Sequence, residues 1–267
     1  MAWRPTLAVT LGVGLLWACG PPVIDTSSGP ELFDSIRSVE EALEPDRREA
    51  FRDAVGYLTD GAALAEGVGP VEPILTAFAP LDGLAADEII LMAWTRRVAL
   101  LRDRIADLEA RRVAGESAQA MIRHVEVGHV RLYPRIGHNL DRPVVEATIR
   151  NRTSTTVFGI WFQVSLRRAE EAEPWVVEVV HRPIGAGLAP RQTASLRFEL
   201  EDEDWLRAAE TVPGDVLLCG VVRLAGRRGR VLAATDYGPT DAYLQQLWQA
   251  RLDELLAERP RGAPAES

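Results

Sequence analysis

Two cysteines, four histidines and a run of four consecutive acids are the side chains of this 267-residue chain with the most chemistry in them. Cys219 lies in the apolar run Val216-Leu217-Leu218-Cys219-Gly220-Val221-Val222. There it reads as a small buried hydrophobe, because a catalytic thiol needs a cationic, partly open setting. His124 and His129 sit close together near Glu126, while His138 and His181 stand apart. No His-Glu-x-x-His and no Cys/His pair at zinc spacing occurs, so no metal is expected. The run Glu201-Asp202-Glu203-Asp204 lacks the alternation and the glycine of a calcium loop. It reads as a solvated turn capping a short helix from Trp205. Gly185-Ala186-Gly187 reads as a loop between strands, without the strand-to-helix context of a dinucleotide site, and no Gly-x-Ser-x-Gly elbow is present. Scattered acids such as Glu146 and Asp236 leave an enzyme of unrecognised type open. No catalytic residue, cofactor or metal is assigned.

The other thiol, Cys19, ends a different kind of segment. A short N-terminal region with one positive charge, Arg4, leads into an apolar stretch over residues 7–17. That stretch is shorter than a membrane span of about 20 residues and fits a secretory signal. It ends in Leu15-Leu16-Trp17-Ala18-Cys19-Gly20. The pattern resembles the lipobox of bacterial lipoproteins, with an apolar residue at −3, a small one at −1 and then the cysteine. The resemblance implies cleavage after Ala18 and a lipid on Cys19, hence a membrane anchor; several acyl chains hold more firmly than one. Gly20 in place of Asp implies the outer membrane, facing the periplasm, in a cell with two membranes. With Cys19 so occupied, no intrachain disulfide is expected.

These residues must be positioned by two kinds of element. Residues 19–29 read as a tether and 30–118 as a helical domain. Ser28-Gly29-Pro30-Glu31 looks like a capping box, and Leu32, Phe33, Ile36, Val39 and Leu43 follow at helical spacing. Pro45 breaks this helix and starts another, with Phe51, Ala54, Val55 and Leu58 on one face. Residues 59–83 read as a loop with a helical piece near 74–78. A long helix over 87–112 carries Leu91, Trp94, Val98, Leu101, Ile105 and Leu108 at alternating spacings of three and four, a heptad-like stripe. The stripe packs either inside the subunit or on a partner helix.

From residue 125 the period changes to two, which marks half-buried antiparallel strands. Val145, Ala147 and Ile149 alternate with polar residues, as do Ile160, Phe162, Val164 and Leu166, and then Leu196, Phe198 and Leu200. Residues 125–133 shift phase near Gly128, a candidate bulge. Segments at 175–180, 216–224 and 231–235 complete a set of seven, the last two joined by a hairpin turn through Gly226-Arg227-Arg228-Gly229. The set predicts a seven-stranded antiparallel Ig-like β-sandwich over 121–238, so the fold class is α+β. Asn151-Arg152-Thr153 matches a glycosylation acceptor but reads as a turn. Trp161 is an outward aromatic on an otherwise regular strand; it packs under a helix or marks a binding surface. A C-terminal helix over 240–258, capped by Thr240, follows, then a disordered tail over 259–267.

Val23-Ile24-Asp25-Thr26-Ser27-Ser28 and Leu81-Asp82-Gly83-Leu84-Ala85-Ala86-Asp87-Glu88-Ile89-Ile90 resemble two motifs of a family of uncharacterised bacterial lipoproteins. One is an Ile-Asp-[Ser/Thr]-Ser tether; the other is a helix start in which Ala85 stands where Thr is common. The resemblance covers residues 19–110 and implies no known activity. Val144-Val145-Glu146-Ala147-Thr148-Ile149-Arg150-Asn151-Arg152-Thr153 and Gly187-Leu188-Ala189-Pro190 resemble the FxLYD-like Ig-like domains of bacterial envelope proteins. That implies a fold and a binding or spacing role, not chemistry.

Composition agrees with an ordinary globular protein, 47% hydrophobic and 26% charged. The net charge of −9 becomes about −10 when Arg4 leaves with the signal, which argues against nucleic acid as a partner. The reading is an envelope lipoprotein of unknown molecular role, held by lipid at Cys19. A noncatalytic module that binds or scaffolds an envelope protein is favoured. The alternative is a small-molecule carrier or sensor using an interdomain groove.

Overall fold

The computed structural model describes residues 20–59, 71–134, 143–169, 171–202, 204–205 and 215–263. The expected signal, Cys19, His138 and most of the helix expected from Trp205 lie outside the described residues. Those described form six helices and seven strands, helices first, with two antiparallel sheets and a closing helix. The α+β class expected from the change of period is therefore found. Two compact units divide the chain: residues up to Arg97 together with those from Arg259, and Val98–Glu258.

The first unit begins with α1 (Gly29–Glu41) and α2 (Pro45–Leu58). Proline suits the first turn of a helix, where its missing N–H costs nothing. α3 (Val71–Phe78) runs into a 3-10 turn, Ala79–Leu81. α4 (Ala86–Ala114) then carries the chain from one unit to the next. Leu32, Val39, Phe51, Val55, Phe78 and Ile89 form the core of this unit. Burying each such side chain contributes roughly 1.5–3 kcal/mol. The expected cap at Ser28 is not made: its side chain bonds to no helix N–H, and its backbone carbonyl accepts from Leu32 N. At α4 the missing threonine hydroxyl is replaced. The Glu88 carboxylate accepts from the Ala85 N–H at 2.9 Å, half of a capping box.

The segment read as a tether is fastened from Val23 onward. Ile24 is fully buried in the helical core, its N–H donates to Leu84 O at 3.0 Å, and Gly83 N donates to Ile24 O at 2.8 Å. The polar letters around Ile24 hid this docking, because one apolar residue has no period.

In the second unit the rest of α4 is followed by a further helix, α5 (Glu116–Ile122), for which the sequence pattern predicts no separate element. β1 (Val125–Pro134), β2 (Pro143–Asn151) and β5 (Thr193–Glu199) make one sheet, in the order β1-β2-β5. β4 (Val176–Leu188), β3 (Val157–Arg167), β6 (Val216–Ala225) and β7 (Val231–Ala234) make the other, in the order β4-β3-β6-β7. The inward residues of both sheets share one core. Val145, Ala147 and Ile149 meet Ile160, Phe162 and Val164 there, and Phe162 stacks on Phe198 with ring centroids 5.0 Å apart.

The phase shift in β1 is a bulge. Register moves between Gly128 and Arg131, and His129 takes φ +48. Gly185-Ala186-Gly187, expected as a loop, instead extends β4. Pro183 pairs with Gly159 and Leu188 with Val157. β4 is an edge strand, where proline and glycine are tolerated because the outer row of N–H groups needs no ladder partner. The hairpin between β6 and β7 turns where expected, through Arg228 and Gly229 at φ +57 and +75.

The closing helix, α6 (Pro239–Ala257), starts on the outer face of β3. Thr240 is not its cap. The Thr240 hydroxyl donates to Ser165 Oγ at 2.9 Å, and the Asp241 carboxylate accepts from the Gly238 N–H at 2.8 Å. Pro239 occupies the first helical position, so the residue reaching back to cap is Asp241 in the first turn.

Candidate functional site

The outward row of β3 is Trp161, Gln163, Ser165 and Arg167, an unremarkable polar face in sequence except for its first member. Structure splits it into two parts. Gln163 and Ser165 seat α6: Thr240 N donates to Gln163 Oε1 at 3.0 Å, and Gln163 Nε2 donates to Asp241 Oδ2 at 3.3 Å. Asp241 is buried and also accepts from Arg111 Nη1 at 2.9 Å, which ties α6 to the end of α4. Gln245 extends the latch. It accepts from the Tyr237 hydroxyl at 2.6 Å and donates to Glu109 at 3.0 Å. Arg112 grips the Glu109 carboxylate with both of its bonds at 2.7 and 2.6 Å. Hydrogen bonds from Arg112, then from Gln245, lower the Glu109 pKa to about 2. Burial raises the pKa of the Tyr237 hydroxyl. The carboxylates, amides and hydroxyls here are each held by a neighbour, so the network acts as a fastening, with Arg111 Nε buried without a hydrogen-bond partner.

Trp161 takes no part in that latch. It faces His181 across β4 and Arg223 across β6. The indole and imidazole stack at 3.9 Å with 17° between planes, and the Arg223 guanidinium lies 4.6 Å from the indole centroid. A cation over an indole face and a cross-strand aromatic pair are both favourable. Gly159 leaves the room: a Cβ there would lie 3.1 Å from His181 Nε2. Trp161 is half-buried and lines an open groove of about 330 Å³ with Gln163, Val179, Val222, Arg223 and Asp236. Beside it on edge strand β4, Val177 and Val179 are 45% and 54% exposed. An apolar pair, a cation, an acid and a ringed platform suit contact with another surface. They contain no activated nucleophile.

A second groove in this unit, about 650 Å³, is lined by residues including Tyr133, His181, Arg182, Arg197, Phe198 and Glu199. Glu146 lies on the outer face of the three-stranded sheet. It accepts from Tyr133 and Ser195 at 3.3 Å each and from Arg197 at 3.3 Å. Desolvation opposes its charge, but Arg197 and the two hydroxyls prevail, so its pKa is lowered. Asp236 follows β7 in the other sheet and lines the groove beside Trp161. The two acids thus serve different faces.

His124 is exposed after α5, and its backbone carbonyl accepts from Arg152 N; His129 is exposed at the bulge. Among the described residues no group of three or more His, Cys, Asp or Glu could hold a metal ion. Cys219 packs against the core shared by the two sheets, and burial pushes its thiol pKa up to about 12. Asp202 and Asp204 form a local turn, with Asp204 N donating to Asp202 Oδ1, and Trp205 is fully buried. Glu178 accepts alongside Asp202, receiving the Glu201 N–H at 3.2 Å. Asn151 marks a turn, and its side chain is wholly enclosed.

Of the heptad stripe, Val98, Leu101 and Leu108 are buried and Ile105 is half-buried in the second unit. Leu91 and Trp94 are half-buried, and the residues that enter the helical core of the first unit are Ala86, Ile89 and Ala93. The buried face of α4 therefore does not follow one heptad seam. Small Ala86 and Ala93 carried no signal that could have announced this. His181 and Arg223 were also missed as neighbours of Trp161. The outward indole was the available signal, but strand pairing is needed to name its partners.

Compared with protein-family models, curated proteins and solved structures, the chain matches none.

Proposed function

We propose that this chain is an envelope lipoprotein, anchored by lipid at Cys19, whose Ig-like sandwich is a noncatalytic module for binding or scaffolding another envelope protein. The anchor rests on the resemblance of Leu16, Ala18 and Cys19 to a lipobox. No described helix is long and apolar enough to cross a membrane, so no described helix supplies the anchor in place of the lipid. The Ig-like reading is supported by a three-plus-four split of seven antiparallel strands around one core. In the constant-type arrangement the fourth strand joins the sheet of the first, second and fifth. Here β4 stays with β3, a variant of the same sandwich.

The observation that carries the binding role is the outer face around Trp161. On this face α6 buries Ser165 and takes the hydrogen-bonding ends of Gln163, and Trp161, Val177 and Val179 are left lining solvent. The test is crosslinked capture from cell membranes with the intact chain, a Cys19→Ala form and a Val179→Glu form. A single defined partner, lost in both variants while the fold is kept, is the expected result. Capture indifferent to Val179→Glu would remove this face from the reading. Capture by none of the three would remove the scaffold role.

The larger groove favours a second reading, a small-molecule carrier or sensor. Its tyrosine and phenylalanine beside two arginines and two glutamates would suit a ligand with an apolar body and a polar end. Native mass spectrometry of the protein released gently from membranes tests it. A retained ligand lost on Arg197→Ala supports the carrier, and a bare mass refutes it.

A further inference from the structure

We propose that the β4 edge of the four-stranded sheet is an interface between two copies of this chain. Residues 177–183 pair antiparallel with the same residues of the second copy, about a two-fold axis at Val180. The pairing is independent of the lipid at Cys19.

An edge strand offers a row of backbone N–H and C=O groups to any strand that comes beside it. The two sheets have four edges, β1, β5, β4 and β7, and three of them are blunted. β7 has four residues and lies against α5. β1 is broken by the bulge between Gly128 and Arg131. On β5 the Arg182 guanidinium donates to Arg197 O at 2.8 Å and takes an acceptor of the strand. The first half of β4 is different. Val176 to Pro183 pair with β3 residue for residue, without a shift. Val176-Val177-Glu178-Val179-Val180 is rich in the β-branched residues that suit a strand. Val177 and Val179 are exposed along its outer side. A long, regular, apolar edge is one that pairs.

The inward side chains choose the occupant. Val180 packs against the core, and Glu178 and Arg182 flank it on the same side of the strand. Inward charges on an edge ordinarily turn a neighbouring strand away. Here the two are opposite in sign and stand evenly about Val180. In an isologous contact residue i meets j and j meets i. The axis at Val180 therefore sets Glu178 against the partner's Arg182 twice, with Cβ atoms about 4.5–5.5 Å apart. A foreign strand would have to bring matching charges; a second copy carries them. Both groups keep capacity for the pairing. Arg182 spends one of the five N–H donors of a guanidinium on Arg197 O. The Glu178 carboxylate accepts backbone N–H groups of Glu201 and Asp202 at 3.2 and 3.4 Å. On the outer side Val179 meets the partner's His181, and the two Trp161 faces join into one surface.

The test is the protein mass of the full chain in dodecyl maltoside, by light scattering over a dilution series. The parent should be a dimer that dissociates on dilution. Glu178→Arg sets like charges together on both sides of the axis and should weaken the dimer roughly tenfold, as should Arg182→Glu. Glu178→Arg combined with Arg182→Glu restores opposite charges across the axis and should restore the dimer. Within one chain the exchange restores nothing, because Glu178 holds backbone N–H groups and Arg182 a carbonyl. Circular dichroism reads the fold of each variant. The register is read by spin labels at Val177→Cys in a Cys19→Ala, Cys219→Ala background. The two labels sit six residues apart along the paired strands, so their distance should be about 20–25 Å. That distance needs neither charge variant and decides the register even where a reversal unfolds the chain. A monomer at every concentration overturns the proposal. So does a folded dimer that ignores the single reversals, a folded double variant that stays monomeric, or Val177 labels beyond about 35 Å.

Discussion

Asn151 ends β2, and its side chain is completely buried with all four of its hydrogen bonds made inside the protein. Nδ2 donates to Leu188 O at 2.8 Å and to Thr155 O at 2.9 Å. Oδ1 accepts from Thr153 N at 2.9 Å and Thr153 Oγ1 at 2.7 Å. One amide thus joins the end of β2 to the turn before β3 and to the end of β4, in the opposite sheet. Asn151→Ala removes all four bonds. In the variant the single Thr153 hydroxyl proton, freed from Oδ1, can turn to Thr155 O at 2.8 Å, but Leu188 O loses this donor in a buried position. A net bond is worth about 1 kcal/mol and a buried orphan about 1–3 kcal/mol, so the loss should be near 3 kcal/mol. For a chain of this size that lowers Tm by about 6–12 °C.

Asn151→Asp sharpens the test. It keeps the acceptor but turns a carboxylate oxygen toward two carbonyls. Only the protonated acid can donate to them, so its folded pKa must lie above the unfolded value of about 3.9. The relative stability of this variant is therefore present below about pH 4 and is lost as pH rises through the folded pKa. Urea unfolding followed by tryptophan fluorescence, for each variant against the parent at pH 4 and pH 7, measures both effects. An alanine variant within about 1 kcal/mol of the parent would refute the accounting. So would an aspartate variant whose deficit is the same at both pH values.

Gly238→Ala places a Cβ 2.2 Å from Gln163 Oε1 and 2.9 Å from a Val222 methyl, so Gln163 must leave Thr240 N. A loss of about 1–3 kcal/mol is expected from the strain and the broken cap, visible as a lower urea midpoint. In a Cys19→Ala form the remaining thiol, Cys219, should resist a disulfide-exchange reagent at pH 8 until the protein is unfolded, because its pKa is pushed up to about 12. Rapid modification of the native form would contradict its packing. Glu109, at about 2, has a folded pKa below its ordinary 4.5. Its contribution is in place above about 4.5 and is lost as pH falls through about 2, so its carboxyl carbon should titrate near 2 by NMR. Arg112→Ala should return the midpoint toward 4.5.

What could be read in advance follows from how each element is made. α1, α2, the latter part of α4 and the inward rows of β2, β3 and β5 repeat an apolar residue at their own period, and that period is all their packing requires. β4 is different. Its far half is held at its two ends, where Pro183 pairs with Gly159 and Leu188 with Val157 across a register shift at a sheet edge, and its proline and glycines look like a loop to any rule based on side chains. α5 is too short to show a period. The docked segment from Val23 offers one buried apolar residue, Ile24, and so no period, and Trp161 acquires meaning from residues 20 and 62 positions away, which strand register alone brings beside it.

This division has a consequence for where function sits. The parts with a strong period are the parts whose interior side is already satisfied by the chain's own core, and they explain stability. Among the parts that escaped the pattern are the edge strand β4 and the outer face around Trp161, where side chains meet what lies outside a core. Gln163 and Ser165 show that the outer face of β3 can be wholly satisfied when the chain intends it, with α6 delivering a partner to each. Trp161 stands in the same row with its neighbours drawn from the sheet and one side left to the groove. If that side had no occupant, replacing Val177 and Val179 by polar residues would improve solubility and cost nothing else. If it has one, the same double substitution abolishes capture while leaving the unfolding midpoint within about 0.5 kcal/mol of the parent, as expected for exposed positions.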